Sequence, residues 1–127
     1  MVKRTAAEIK RASNVLANVL NWRRLQTEVG LWATRNFGND RDGKSILLGV
    51  MEEVGELSHA YLKREQGIRT NEDHDANIED AVADIVIYLA DFCAVEGLDF
   101  QDAVEGTWAK VRQRDWKAHP EKGEAID

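Results

Sequence analysis

The sequence predicts an all-α fold, a four- to five-helix bundle completed by homo-oligomerisation. Apolar residues recur at the spacing of an amphipathic helix in several windows, as in Leu47, Val50, Val54, Leu57 and Tyr61. Aromatic residues make up 7% of the chain and there is 1 proline, which argues against a β-rich or disordered chain. Turn-rich segments at 38–44 and 67–77 cut the periodic stretches into helix-sized pieces. A chain of 127 residues suffices for one domain with a single core. The expected domain spans 1–127, with an N-terminal extension helix at 1–20 and a polar tail at 118–127.

Taken in order, Thr5 is a candidate N-cap with Glu8 three residues on, the capping-box spacing. Ile9, Val15, Leu16, Val19 and Leu20 give that segment a partial apolar stripe. Leu25, Val29, Trp32 and Ala33 mark a second helix that stops near Phe37 and Gly38. A Glu-rich helix is predicted from Ser45 to Glu65. The next, from Ile78 to Glu96, is apolar around most of its circumference, the mark of a buried helix. It needs apolar neighbours on more sides than four or five short helices supply, and this is the motive for a homodimer or homotetramer. Gly97 ends it. Asp99 caps a last helix whose inner stripe is Phe100, Ala103, Val104, Trp108 and Val111.

With 17 basic and 23 acidic residues the net charge is −6, so no broad footprint for a nucleic acid polymer is expected. A metal ion can reverse charge locally, so a small anionic ligand is not excluded. No run reaches membrane-spanning length and none reads as a signal peptide, so no membrane partner is expected. The lone Cys93 sits in an apolar run as a core residue, consistent with a reducing, cytoplasmic setting.

The chemistry lies in two acidic segments. Glu52, Glu53 and Glu56 fall to one side of the apolar face of their helix. Asp80, Asp84 and Asp91 form a narrow stripe on the helix after it, with no Lys or Arg between Ile78 and Glu96 to neutralise them. Asp80 suits the helix start electrostatically, but Asp84 lies beyond the first turn. If the two helices pack side by side, Glu52, Glu53, Glu56, Asp80 and Asp84 converge and require a cation. All-oxygen sites suit Mg²⁺, or Mn²⁺. Such an ion engages substrate phosphates, and a Glu not fully used as ligand, Glu52 or Glu53, is expected to act as general base on water. Lys110 and Arg114 at the basic end of the last helix serve either the helix dipole or those phosphates. Trp32 and Phe37 either stack on a base or pack in the core.

The order of these motifs, Glu52-Glu53-x-x-Glu56, then Asp80-x-x-x-Asp84, then Lys110-x-x-x-Arg114, resembles the MazG-like all-α nucleoside triphosphate pyrophosphohydrolases, over roughly Leu25 to Pro120. The resemblance implies a helical bundle that dimerises or tetramerises. It also implies Mg²⁺-dependent cleavage of an NTP or dNTP to the monophosphate and pyrophosphate. By position, Glu53 and Glu56 match the family's Glu-x-x-Glu metal ligands, and Asp84 matches the Asp of its Glu-x-x-Asp. Position 81 is Ala where many members have Glu, and Asp80 is the expected substitute. Glu52 is then a further metal ligand or the base. Lys110 and Arg114 resemble the family's phosphate-directed cations.

Two other readings explain part of the pattern. Glu56 and His59 have the i, i+3 spacing of a carboxylate di-iron bundle, but such sites need that motif twice and neither His74 nor His119 supplies it. A non-catalytic helical oligomerisation module would explain the apolar stripes but not Asp84 or Asp91.

Overall fold

The computed structural model describes residues 3–11 and 20–123. It is all-α, with no strand among the described residues. Four helices follow one another: α1, Trp22–Phe37; α2, Gly43–Gln66; α3, His74–Glu96; and α4, Phe100–Val111. A further helical segment covers 6–11. Its capping box forms as predicted, with the Thr5 N–H donating to Glu8 Oε2 at 2.6 Å and the Glu8 N–H to Thr5 Oγ1 at 3.2 Å. The apolar positions Val15, Leu16 and Val19 lie outside the described residues.

Each helix starts on a side-chain oxygen that satisfies an orphan backbone donor. Asn21 accepts from the Arg24 N–H, Asp42 from Ser45, Asp73 from Ala76 and Asp99 from Asp102. These caps explain where the sequence reading of helix starts falls short. Asn21 starts α1 ahead of Leu25, and Asp42 starts α2 two residues before Ser45. Asp73 starts α3 four residues before Ile78, so the second loop is shorter than the predicted 67–77. Gly67 and Gly97 close α2 and α3 with φ of 65° and 68°, a left-handed conformation that glycine adopts without steric cost. Past α4, turns through 116–123 fold back, with the Asp115 N–H donating to the Gly123 carbonyl at 2.6 Å. The stretch predicted as a tail from 118 is thus structured as far as Gly123.

Helix α3 is central. It packs against α2 along most of its length and against α1 on another side, while α4 packs chiefly on α1. The contacts run through small side chains. Ala33, Ala60, Ala81 and Ala90 are buried, and Gly30 faces the Ala94 methyl. At Gly49 of α2 even a methyl group would collide with the Tyr88 ring of α3, standing 2.7 Å from Cζ. Cys93, in the core as expected, joins Ala90 and Phe100, with Leu25, Val29, Val86, Leu89 and Val104 around them. Burial pushes the Cys93 thiol pKa up, so it is an inert core thiol. Arg23 ties the start of α1 to the start of α4 through Asp99 at 3.2 Å and Asp102 at 3.0 Å.

One chain does not cover α3 on every side, and Val82 and Ile87 remain exposed. On α2, Leu47, Met51, Val54, Tyr61 and Leu62 are also exposed and fall within about 100° of arc, roughly opposite the face that meets α3. No helix among the described residues is long and apolar enough to cross a membrane.

Candidate active site

The close approach of α2 and α3 brings the two acidic segments together. Glu53 comes from the face of α2 that also carries Ile46, Gly49 and Ala60, and it is half-buried. Burial raises its carboxyl pKa above the ordinary value, and the charges of Glu56, Asp84 and Glu52 raise it further. Its Oε2 atom is buried without a hydrogen-bond partner. Asp84 on α3 is half-buried, whereas Glu52, Glu56 and Asp80 are exposed. No salt bridge reaches any of these five acids among the described residues.

Two cavities adjoin here. One, of about 610 Å³, is lined by Glu52, Glu56, Asp80 and Asp84, with His59 and Asn77 beside them. It has no Lys or Arg in its wall. The other, of about 530 Å³, has Trp32, Phe37 and Tyr88 in its wall, with Glu53 and Asp84 at one side. Asp84 lines both. Trp32 and Phe37 are 48% and 67% exposed, so neither is a core residue in this chain. Their rings meet edge to face, with centroids 5.6 Å apart. An exposed aromatic pair at a cavity mouth suits a planar ligand.

Among the described residues, no three of these side chains already stand together at coordinating distance from one point. The donor set nonetheless fits a hard divalent cation, because it is all carboxylate, drawn from two helices and unpaired, with one buried oxygen lacking any partner. The second Glu-x-x-His that a di-iron bundle requires is missing here as well. His74 opens α3, with Nε2 3.0 Å from the Ile68 carbonyl.

Asp91 corrects the sequence reading of its stripe. It is buried, at 8% exposure, and paired in two-pronged fashion with Arg41 from the α1–α2 loop: Nη2 to Oδ1 at 2.9 Å and Nε to Oδ2 at 3.2 Å. Its counter-charge comes from fifty residues away and not from its own helix. A buried Asp with no cation within a turn was the available signal for such a partner. Asp40, Arg41 and Tyr88 of the aromatic cavity, and His59 and Asn77 of the acidic one, were not named as site residues from sequence.

Lys110 and Arg114 do not line either cavity. Lys110 is exposed at the end of α4.

No curated protein and no solved structure gives a significant match to the sequence. The family model described as the MazG nucleotide pyrophosphohydrolase domain matches residues 41–119, a span that holds α2, α3 and α4 and all five carboxylates. With more than half of its length matched, the chain belongs to the MazG nucleotide pyrophosphohydrolase domain family.

Proposed function

We propose that this chain hydrolyses nucleoside triphosphates, ribo or deoxyribo, to the monophosphate and pyrophosphate in a reaction that depends on Mg²⁺, with Mn²⁺ as a substitute. The observation that carries this reading is Asp84, which lines an aromatic cavity on one side and a carboxylate cavity on the other. A nucleotide has the same division, a planar apolar base joined to a polyanion. In this reading the base lies against Trp32 and Phe37, and the phosphates lie toward Glu52, Glu56, Asp80 and Asp84.

These four acids and Glu53 are the residues that would hold the cation. When bound, it neutralises phosphate charge and polarises a phosphoryl oxygen. Glu53, or Glu52 in its place, accepts a proton from the attacking water. The raised pKa of Glu53 strengthens it as a base, and the unpartnered Oε2 leaves a lone pair for that proton. Water oxygen bonds to phosphorus, the bridging P–O bond between the α and β phosphates breaks, and pyrophosphate leaves. A nucleotide pool as substrate agrees with a cytoplasmic setting. The test is pyrophosphate release across a panel of NTPs and dNTPs. Release in Mg²⁺ and none in EDTA is expected, and no metal-dependent release from any nucleotide would overturn the proposal.

The exposed apolar faces of α2 and α3 support a homodimer or homotetramer. Lys110 and Arg114 remain the candidate phosphate contacts, supplied across an interface between copies. A monomer by light scattering at assay concentration defeats that assembly.

A further inference from the structure

We propose that Asp40 selects the base, so that the aromatic cavity takes nucleobases carrying an exocyclic amino group (adenine, guanine or cytosine) in preference to uracil and thymine. The inference rests on the nucleotide reading of the site and goes on to its substrate class.

The loop between α1 and α2 is only five residues, 38–42, and its charged side chains have separate fates. Arg41 commits its guanidinium to structure. Nε and Nη2 hold Asp91, and Nη1 donates to Thr34 Oγ1 at 3.0 Å and to the Gly38 carbonyl at 2.7 Å. The last bond ties one end of the loop to the other. Asp42 is committed as well, accepting from the Ser45 N–H at 2.7 Å to cap α2. Asp40 sits between these two anchored residues, lines the aromatic cavity beside Phe37 and Trp32, and has no hydrogen bond or ion pair among the described residues. Asn39, its neighbour, lines a groove on another side of α1. The loop is therefore pre-organised around one carboxylate left without a partner.

Hydrogen-bonding chemistry then decides what that carboxylate accepts. The one cation in the cavity wall, Arg41, is already paired, and Asp42 and Asp91 are satisfied. Glu53 and Asp84 stand at the side shared with the acidic cavity. What remains for a base edge is the hydroxyls of Ser45 and Tyr88, which donate or accept with equal ease and so do not discriminate, and the Asp40 carboxylate, an ionised acceptor that takes N–H donors and offers none. Adenine, guanine and cytosine present an amino group to it. Uracil and thymine present carbonyl oxygens on both sides of their single N–H, and these repel a carboxylate. A donor matched to a charged acceptor gives discrimination of about 10-fold at an exposed position such as this one.

The test is calorimetric binding of AMP, GMP, CMP, UMP and TMP to the full chain in Mg²⁺. The three amino-bearing nucleotides are expected to bind about 10-fold more tightly than UMP and TMP. Asp40→Asn, whose carboxamide both donates and accepts, is expected to erase that gap. Arg41→Lys, which loosens the loop without touching the selecting group, should weaken all five in proportion and leave the ratios alone. Equal binding of all five, tighter UMP or TMP, ratios unchanged in Asp40→Asn, or no binding at all would each overturn the proposal. Pyrophosphate release is scored separately. Base-indifferent release would end this inference and leave the pyrophosphohydrolase standing, whereas a base preference without release would do the reverse.

Discussion

Asp84→Ala is expected to remove pyrophosphate release from every nucleotide tested, with kcat falling by at least about 10³, or about 4 kcal/mol of barrier. The position explains the size of the effect. Asp84 is the one acid on the boundary between the two cavities, and its charge acts directly on Glu53. Its loss removes a carboxylate from the cation's donor set and at the same time lets the Glu53 pKa fall toward its ordinary value. Glu56→Ala acts from the opposite helix and should reach the same end. Neither residue takes part in a salt bridge among the described residues, so helicity by circular dichroism should be unchanged. Melting temperature in EDTA should hold or rise, because clustered like charges are relieved. Full turnover in both variants would show that the acids are only a solvated face.

Asp91→Ala is expected to act on folding. It strands Arg41, whose side chain is 12% exposed, with half of its hydrogen bonds gone. Breaking one partner out of a buried pair costs about 3–5 kcal/mol. A figure near about 3 kcal/mol suits a pair that retains some contact with water, and it corresponds to a melting temperature about 10 °C lower for a chain of this size. Urea unfolding measures it. Replacing both partners, Asp91→Leu with Arg41→Met, should recover a large part of the loss, because no charge is then left uncompensated. A change below about 0.5 kcal/mol in Asp91→Ala, the range of an ordinary surface substitution, would show that the ion pair carries no weight.

These two residues also mark what was legible in the sequence. Both are acids on one stripe of one helix, and spacing alone could not separate them. The grouping of Glu52, Glu53 and Glu56 with Asp80 and Asp84 was legible, because helical periodicity fixes which side chains share a face, and two such faces packed together must meet. The pairing of Asp91 with Arg41 was not legible, because it depends on where a short loop returns to the bundle. For the same reason helix interiors read correctly while three helix starts did not. Asn21, Asp42 and Asp73 each extend a helix outward through one hydrogen bond, with no apolar periodicity to announce it. Spacing alone left Trp32 open between the core and a base, because aromatics at helical spacing serve both, and its 48% exposure in a cavity wall removes the core alternative within this chain. Lys110 and Arg114 followed from the motif order in the chain, and neither lines the two cavities.

Helices α2 and α3 approach closely at Gly49 and Tyr88, and each of these lies one helical turn from an acid of the site, Glu53 and Asp84 respectively. The gap between the two carboxylate-bearing rods is therefore gauged by a bare hydrogen where every other residue would place a carbon. Any side chain at that point would wedge the rods apart close to the jaws, and the reach from one acid to the other would lengthen although each rod stayed intact. The spacing of the candidate site's acids thus depends on a position that carries no functional group.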